Sequence, residues 1–155
     1  MTTSLTKMFN PVQLTSAFCE TAAVIHATGF DYPWNQEAFE SLLILPTTVA
    51  WIDENGLLVC SQICDEMEIL TICVTSEKRH QGYGFCWMNF LMQYAQKNGI
   101  KRIFLEVSTE NTCAKNLYQK CGFKEIGIRK GYYKTKTGFC DAICMEKNFK
   151  KVFDR

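Results

Sequence analysis

Arg79-His80-Gln81-Gly82-Tyr83-Gly84 is a stretch that could hold an anion. It ends an apolar run over residues 69–74 and begins an amphipathic one over residues 85–95. A strand is therefore expected to empty into a glycine turn that starts a helix. The first turn of a helix leaves backbone N–H groups unpartnered and carries the positive end of the dipole, and that combination binds phosphate. No Gly-Lys-Ser/Thr follows, and the glycine spacing is not that of a dinucleotide fingerprint. Taken alone, such a turn reads equally well as a plain loop closure.

The nine cysteines are the second chemically suggestive set. Their number is odd and none are spaced Cys-x-x-Cys. Cys60/Cys64 and Cys140/Cys144 are each four apart in segments that read as strands, where such residues share a face but lie roughly 13 Å apart. That is too far to bridge or to ligate one metal. They read as reduced, small apolar fillers of a cytosolic protein, and no metal site is expected.

Other elements must position the turn. The chain has 155 residues, 47% of them apolar, so a single domain over residues 1–155 with a substantial core is expected. Seventeen basic and 16 acidic residues leave a net charge of +1. That balance argues against broad electrostatic attachment to nucleic acid or to a membrane. No run of 18 apolar residues exists to span a bilayer. Residues 1–7 lack the basic end and apolar stretch of a secretion signal.

Residues 12–25 are apolar at mostly helical spacing. Asn35 caps a short helix over residues 36–43, which Pro46 stops. Residues 47–52 and 57–63 read as strands joined through Asp53-Glu54-Asn55-Gly56, a hairpin signal, and residues 67–74 as a third. The helix after the glycine turn ends at Asn98-Gly99. Residues 100–107 form a strand, a short helix runs through Ala114, Leu117 and Tyr118 to Cys121, and residues 123–128 and 142–149 are strands. The loop between those two strands holds Tyr132-Tyr133. The fold class is α/β, with one mixed, mostly antiparallel sheet flanked by helices.

Leu70-Thr71-Ile72-Cys73-Val74, Arg79-x-x-Gly82-x-Gly84, Leu105-Glu106-Val107, Asn111, Leu117-Tyr118 and Gly122-Phe123 resemble a GNAT-fold acetyltransferase. Arg129-Lys130-Gly131-Tyr132-Tyr133, Gly138, Asp141-Ala142-Ile143-Cys144-Met145 and Phe30-Asp31-Tyr32-Pro33-Trp34 narrow the resemblance to the RimI family, enzymes that acetylate the N-terminal alanine of a small-subunit ribosomal protein. The similarity runs from about residue 12 to residue 149. It implies acetyl-CoA as co-substrate and an N-terminal peptide as partner, with a cytoplasmic monomer that uses no metal. Cys140, Lys134 and Phe85 depart from the family's usual residues.

By that resemblance, His80, Gln81, Gly82, Tyr83, Gly84 and Phe85 contact the cofactor, and the backbone of Ile72, Cys73 and Val74 pairs with the pantetheine arm while the side chains still pack as a core strand. Asn111 either bonds that arm or caps the following helix. Tyr132 and Tyr133 clasp the substrate backbone, and Trp34 either flanks the same groove or packs in the core. An α-amino group of pKa about 8 is roughly one tenth neutral at pH 7, so a modest base suffices to free it. The resemblance assigns that base to Glu106 and the acid that protonates the departing thiolate to Tyr118. A free carboxylate near pKa 4.3 is poorly matched to the amine, which calls for burial or a water chain.

Three alternatives follow from the same residues. The enzyme could act on a small amine such as a polyamine or aminoglycoside, or pass the acetyl group through Cys73 or Cys113. A non-catalytic acyl-CoA-binding module is the third.

Overall fold

A computed structural model describes residues 8–149; residues 1–7, read above as lacking a secretion signal, lie outside the described residues. The strands are β1 (Val12–Gln13), β2 (Thr48–Asp53), β3 (Gly56–Ile63), β4 (Glu66–Val74), β5 (Arg102–Ser108), β6 (Lys124–Thr135) and β7 (Gly138–Asn148). The helices are α1 (Cys19–Ala27), α2 (Gln36–Ile44), α3 (Tyr83–Lys97) and α4 (Thr112–Lys120). The strands form one sheet in the order β1-β2-β3-β4-β5-β7-β6. Every neighbouring pair is antiparallel except β4–β5. No helix among the described residues is long and apolar enough to cross a membrane.

Each face of the sheet carries its own apolar cluster. α3 and α4 cover one face, where Trp87, Met88, Leu91 and Tyr118 meet Ile69, Leu105 and Val107. α1 and α2 cover the other, where Ala22, Ile25 and Phe39 meet Leu57, Val59 and Cys73. The helix expected over residues 12–25 begins only at Cys19. Before it, Val12 and Gln13 pair with Ile52 and Trp51, and the Leu14 N–H donates to Ala50 O at 2.9 Å. Residues 12–14 gain more by closing the edge of β2 than a frayed first turn would supply.

Two irregularities in the sheet decide where side chains point. In β3–β4 the register passes from Val59↔Thr71 to Cys60↔Ile69, so Leu70 is an extra residue in a β-bulge. A bulge reverses the alternation of faces. Met67 and Ile69 therefore join the α3 cluster, while Leu70 and Cys73 turn to the α1 side. In β6 the register passes from Arg129↔Ala142 to Tyr133↔Cys140, with Gly131 at φ 61° and its N–H held by Asp141 Oδ1 at 2.9 Å. Tyr132 and Tyr133 consequently sit on a strand, not on the loop expected from sequence, because the hairpin stays paired as far as Thr135↔Gly138.

Candidate active site

β4 and β5 are paired only from Glu66↔Arg102 to Ile69↔Leu105. Beyond that point β4 runs on to Val74 and β5 to Ser108 without pairing to each other. The parting strands open a cavity of about 840 Å³. Its walls are the free ends of β4 and β5, the loop into α3, the start of α4, residues 29–32 after α1, and residues 133–135 of β6. Unpaired strand backbone is what an extended ligand needs in order to add as a strand.

At the α3 end of the cavity the expected glycine turn leads into the helix. Gly82 precedes α3 at φ 89°, following His80 at φ 61°. Both lie in the left-handed region, which glycine enters without strain and histidine does not. The backbone N–H groups at the start of α3 therefore face outward unpaired. Gly84 has a different reason to be glycine: a Cβ there would come within 3.1 Å of Leu117 Cδ2, so it lets α3 and α4 approach. Gly82→Ala is expected to cost about 1 kcal/mol of stability and to raise KM for acetyl-CoA; urea unfolding and initial rates at varied acetyl-CoA check both.

His80, Gly82, Tyr83, Gly84 and Phe85 line the cavity, as do Ile72, Val74 and Asn111. The Tyr83 ring itself is buried, with its hydroxyl 3.8 Å from Met8 Sδ. Asn111 does cap α4, with Oδ1 accepting from Ala114 N at 3.2 Å. That leaves its amide N–H groups for a ligand, so the two readings of Asn111 are compatible. Gln81 and Cys73 are not among the lining residues. Gln81 Nε2 donates to Glu77 O, and the Cys73 thiol points at Ile25 O on the α1 side. The Arg79 guanidinium donates to Val74 O and Thr28 O, tying the loop to the end of α1.

Glu106 and Tyr118 both line this one cavity. Glu106 projects from β5 on the side away from Leu105 and Val107, and Tyr118 comes from α4 on their side. Tyr118 is 5% exposed. Burial, with the nearby Tyr133 adding, pushes its phenol well above the ordinary tyrosine range, so it stays protonated. The Glu106 side chain is 18% exposed, and its Oε1 lies 3.1 Å from Arg129 Nε in an ion pair. Tyr133 lines the cavity and donates its hydroxyl hydrogen to Glu106 O at 3.3 Å. Tyr132 is half exposed beside it, edge-on to Tyr133 and beneath Arg129.

Trp34 takes the core reading. It stacks on His26 with ring centres 5.0 Å apart, and its backbone N–H donates to His26 Nδ1 at 3.0 Å. Phe30, Asp31 and Tyr32 line the cavity on that side. Sequence reasoning gave no role to Glu68, Ser108 or the Arg129 contact. The pairing that places Ser108 and Arg129 near Glu106 runs through Ala142 on β7 and has no local sequence signal. No group of three or more metal-binding side chains occurs among the described residues.

The acetyltransferase (GNAT) family model matches residues 20–123. The chain is 30% identical over 118 residues to the [ribosomal protein bS18]-alanine N-acetyltransferase of Escherichia coli K12, covering 74% of this chain and 80% of that one. It is also 30% identical to a putative enzyme of that name from Bacillus subtilis, over 70% and 76% of the two chains. The crystal structure of the E. coli S18-alanine acetyltransferase superposes with a TM-score of 0.85 at 24% identity, over 94% of this chain and 98% of that one. A spermidine N-acetyltransferase of Vibrio cholerae superposes at 0.76 with 18% identity, covering 90% and 95%, so the fold alone does not choose the amine. With more than half of its length matched by the family and its relatives named as N-acetyltransferases, the chain belongs to the GNAT acetyltransferase family and is an N-acetyltransferase.

Proposed function

We propose that the chain is an acetyl-CoA-dependent Nα-acetyltransferase whose acceptor is the N-terminal alanine of a small-subunit ribosomal protein, with direct transfer to the amine. The observation that carries this is the parting of β4 from β5 with Glu106 and Tyr118 in the cavity between them. Bound acetyl-CoA supplies the activated thioester. The unpaired N–H groups at the start of α3 hold its pyrophosphate, and the free edge of β4 at Ile72, Cys73 and Val74 aligns its pantetheine arm. Cys73 contributes there through its backbone.

Glu106 accepts the proton of the acceptor's α-ammonium, so that a neutral amine faces the thioester carbonyl. The β4 backbone N–H groups polarise that carbonyl. Tyr118 is held neutral by burial and donates a proton to the departing sulfur, whose pKa of about 8.5 demands little of the donor. Tyr133, Tyr132 and the segment Phe30-Asp31-Tyr32 flank the acceptor end, where the peptide backbone enters. A water between base and amine can relay the proton to the carboxylate.

The test is a panel of hexapeptides varied at residue one, with spermidine as an added arm, mixed with acetyl-CoA and read by mass spectrometry. Ala-starting peptides should gain one acetyl group at the α-amine. Preferential acetylation of spermidine would replace this reading with the small-amine one. CoA binding without transfer to any amine would leave a binding module. Tyr118→Phe should lower kcat about 10²-fold, as expected for a lost proton donor. Its effect should shrink with an acyl donor whose leaving thiol is more acidic, and an equal loss with both donors would remove Tyr118 from the proton step. Turnover persisting in a Cys73→Ser, Cys113→Ser double variant excludes an acetyl-cysteine route.

A further inference from the structure

Beside the acceptor side of the cavity, two carboxylates meet one guanidinium. Glu68 and Phe104 are register partners in β4–β5. Met67 and Ile69 of β4, and Ile103 and Leu105 of β5, pack in the α3 cluster. Glu68 and Glu106 must therefore emerge together on the opposite face, as diagonal neighbours. Arg129 joins them there, because it pairs with Ala142, whose partner is Ser108. Two half-buried carboxylates thus share one guanidinium.

That guanidinium is closed on Glu106 alone. Arg129 Nε lies 3.1 Å from Glu106 Oε1. Glu68 takes part in none of the ion pairs among the described residues. Its carboxyl is held above the usual range by burial and by the Glu106 charge, with Arg129 acting the other way. The Arg129 side chain is 57% exposed and rests on the Tyr132 ring, 5.0 Å from its centre. A pair this exposed is held loosely enough to exchange partners. As it stands, Arg129 occupies one oxygen of the Glu106 carboxylate.

We propose that Glu68 and Arg129 form an exchange device for the acceptor's α-ammonium. The ammonium takes Arg129's place on Glu106, and the guanidinium swings to Glu68. Arg129 covers Glu106 in the empty enzyme and leaves Glu68 without a cation, whereas two cations face two carboxylates in the loaded one. Both are positioning residues, because they act through Glu106 and not on the reacting atoms. Tyr132 gains a role as the platform on which the guanidinium turns. The inference rests on the reading of Glu106 as the group that receives the ammonium.

The test is the KM-against-kcat split in a double-mutant cycle, with an Ala-starting hexapeptide as acceptor. In Glu68→Gln the displaced guanidinium has no carboxylate to receive it, so KM for the peptide should rise about fivefold, while kcat and KM for acetyl-CoA move less than about twofold. Adding Arg129→Gln removes the competitor, so KM should return to within about twofold of wild type. A merely structural role for Glu68 predicts that the two changes add. An unchanged KM in Glu68→Gln, or a further rise in the double variant, overturns the device while the transferase reading stands. A wild-type protein that acetylates no peptide overturns both.

Discussion

Glu106→Gln is expected to lower kcat for an Ala-starting peptide about 10³-fold, within the range for loss of a positioned general base, with KM for acetyl-CoA unchanged. The amide keeps the shape of the side chain and its place on β5, where residue 106 pairs with Cys144. It removes the negative charge, and with it the ability to take a proton. Part of the deficit should be recovered as pH rises toward the amine's own pKa of about 8, because solvent then supplies the neutral amine. Initial rates between pH 6.5 and 9 would show this as a variant whose activity climbs with pH more steeply than wild type. A rate near wild type at pH 7 would reject Glu106 as the base. The ion pair with Arg129 cannot account for a loss this large, since breaking a pair this exposed costs at most about 1 kcal/mol, or about fivefold.

The second large effect is on stability. His26 is 2% exposed and is stacked between Phe30 and Trp34, with Phe39 edge-on. Its Nδ1 accepts from Trp34 N, so the ring hydrogen sits on Nε2 and is donated to Thr71 Oγ1 at 2.9 Å. Both nitrogens are used by the neutral form, and burial lowers the pKa to about 4 from 6.5. In the unfolded chain the imidazole protonates near pH 6.5, whereas in the folded chain it does so only near 4. The unfolded state therefore binds more protons between those values, and stability is complete above about pH 6.5 and falls as pH drops toward 4. The loss is on the order of 3 kcal/mol.

Glu68 and Asp53 oppose this fall, because burial raises their carboxyls. Their contribution runs in the other direction, toward greater stability at lower pH. Urea midpoints between pH 7.5 and 4.5 measure the net slope, and His26→Gln should remove most of it. A His26→Gln variant with the same pH slope as wild type would contradict the neutral, doubly bonded ring. The same ring fixes the segment from Phe30 to Trp34 that borders the cavity, so acid loosening should reach the acceptor side first.

The elements whose patterns are local were legible. The hairpin at Asp53-Glu54-Asn55-Gly56, the cap at Asn35 and the helix running from the glycine turn to Asn98-Gly99 follow from residue types and spacing, and the structure places them within two residues of the expectation. The β1 strand was not legible, because two residues hold no period and their partner lies about 40 residues away on β2. The hairpin carrying Tyr132-Tyr133 read as a loop because Lys130, Gly131 and Lys134 break the apolar alternation, yet cross-strand bonds to β7 hold it in the sheet.

By itself the sequence determined the family and the glycine turn that opens α3, and its resemblance to that family singled out Glu106 and Tyr118 for the proposed chemistry. The turn is a matter of residue type at short spacing and the rest of motifs shared with a family, and both survive without coordinates. Only the tertiary structure decided that Cys73 turns its thiol to the α1 side, that Trp34 stacks on His26 instead of lining the groove, and that Arg129 rests on Glu106. The first turns on a single bulged residue, Leu70, which reverses the faces of the strand after it. The other two turn on contacts between residues 8 and 23 positions apart. Neither a one-residue change of register nor the meeting of distant side chains is written in local periodicity.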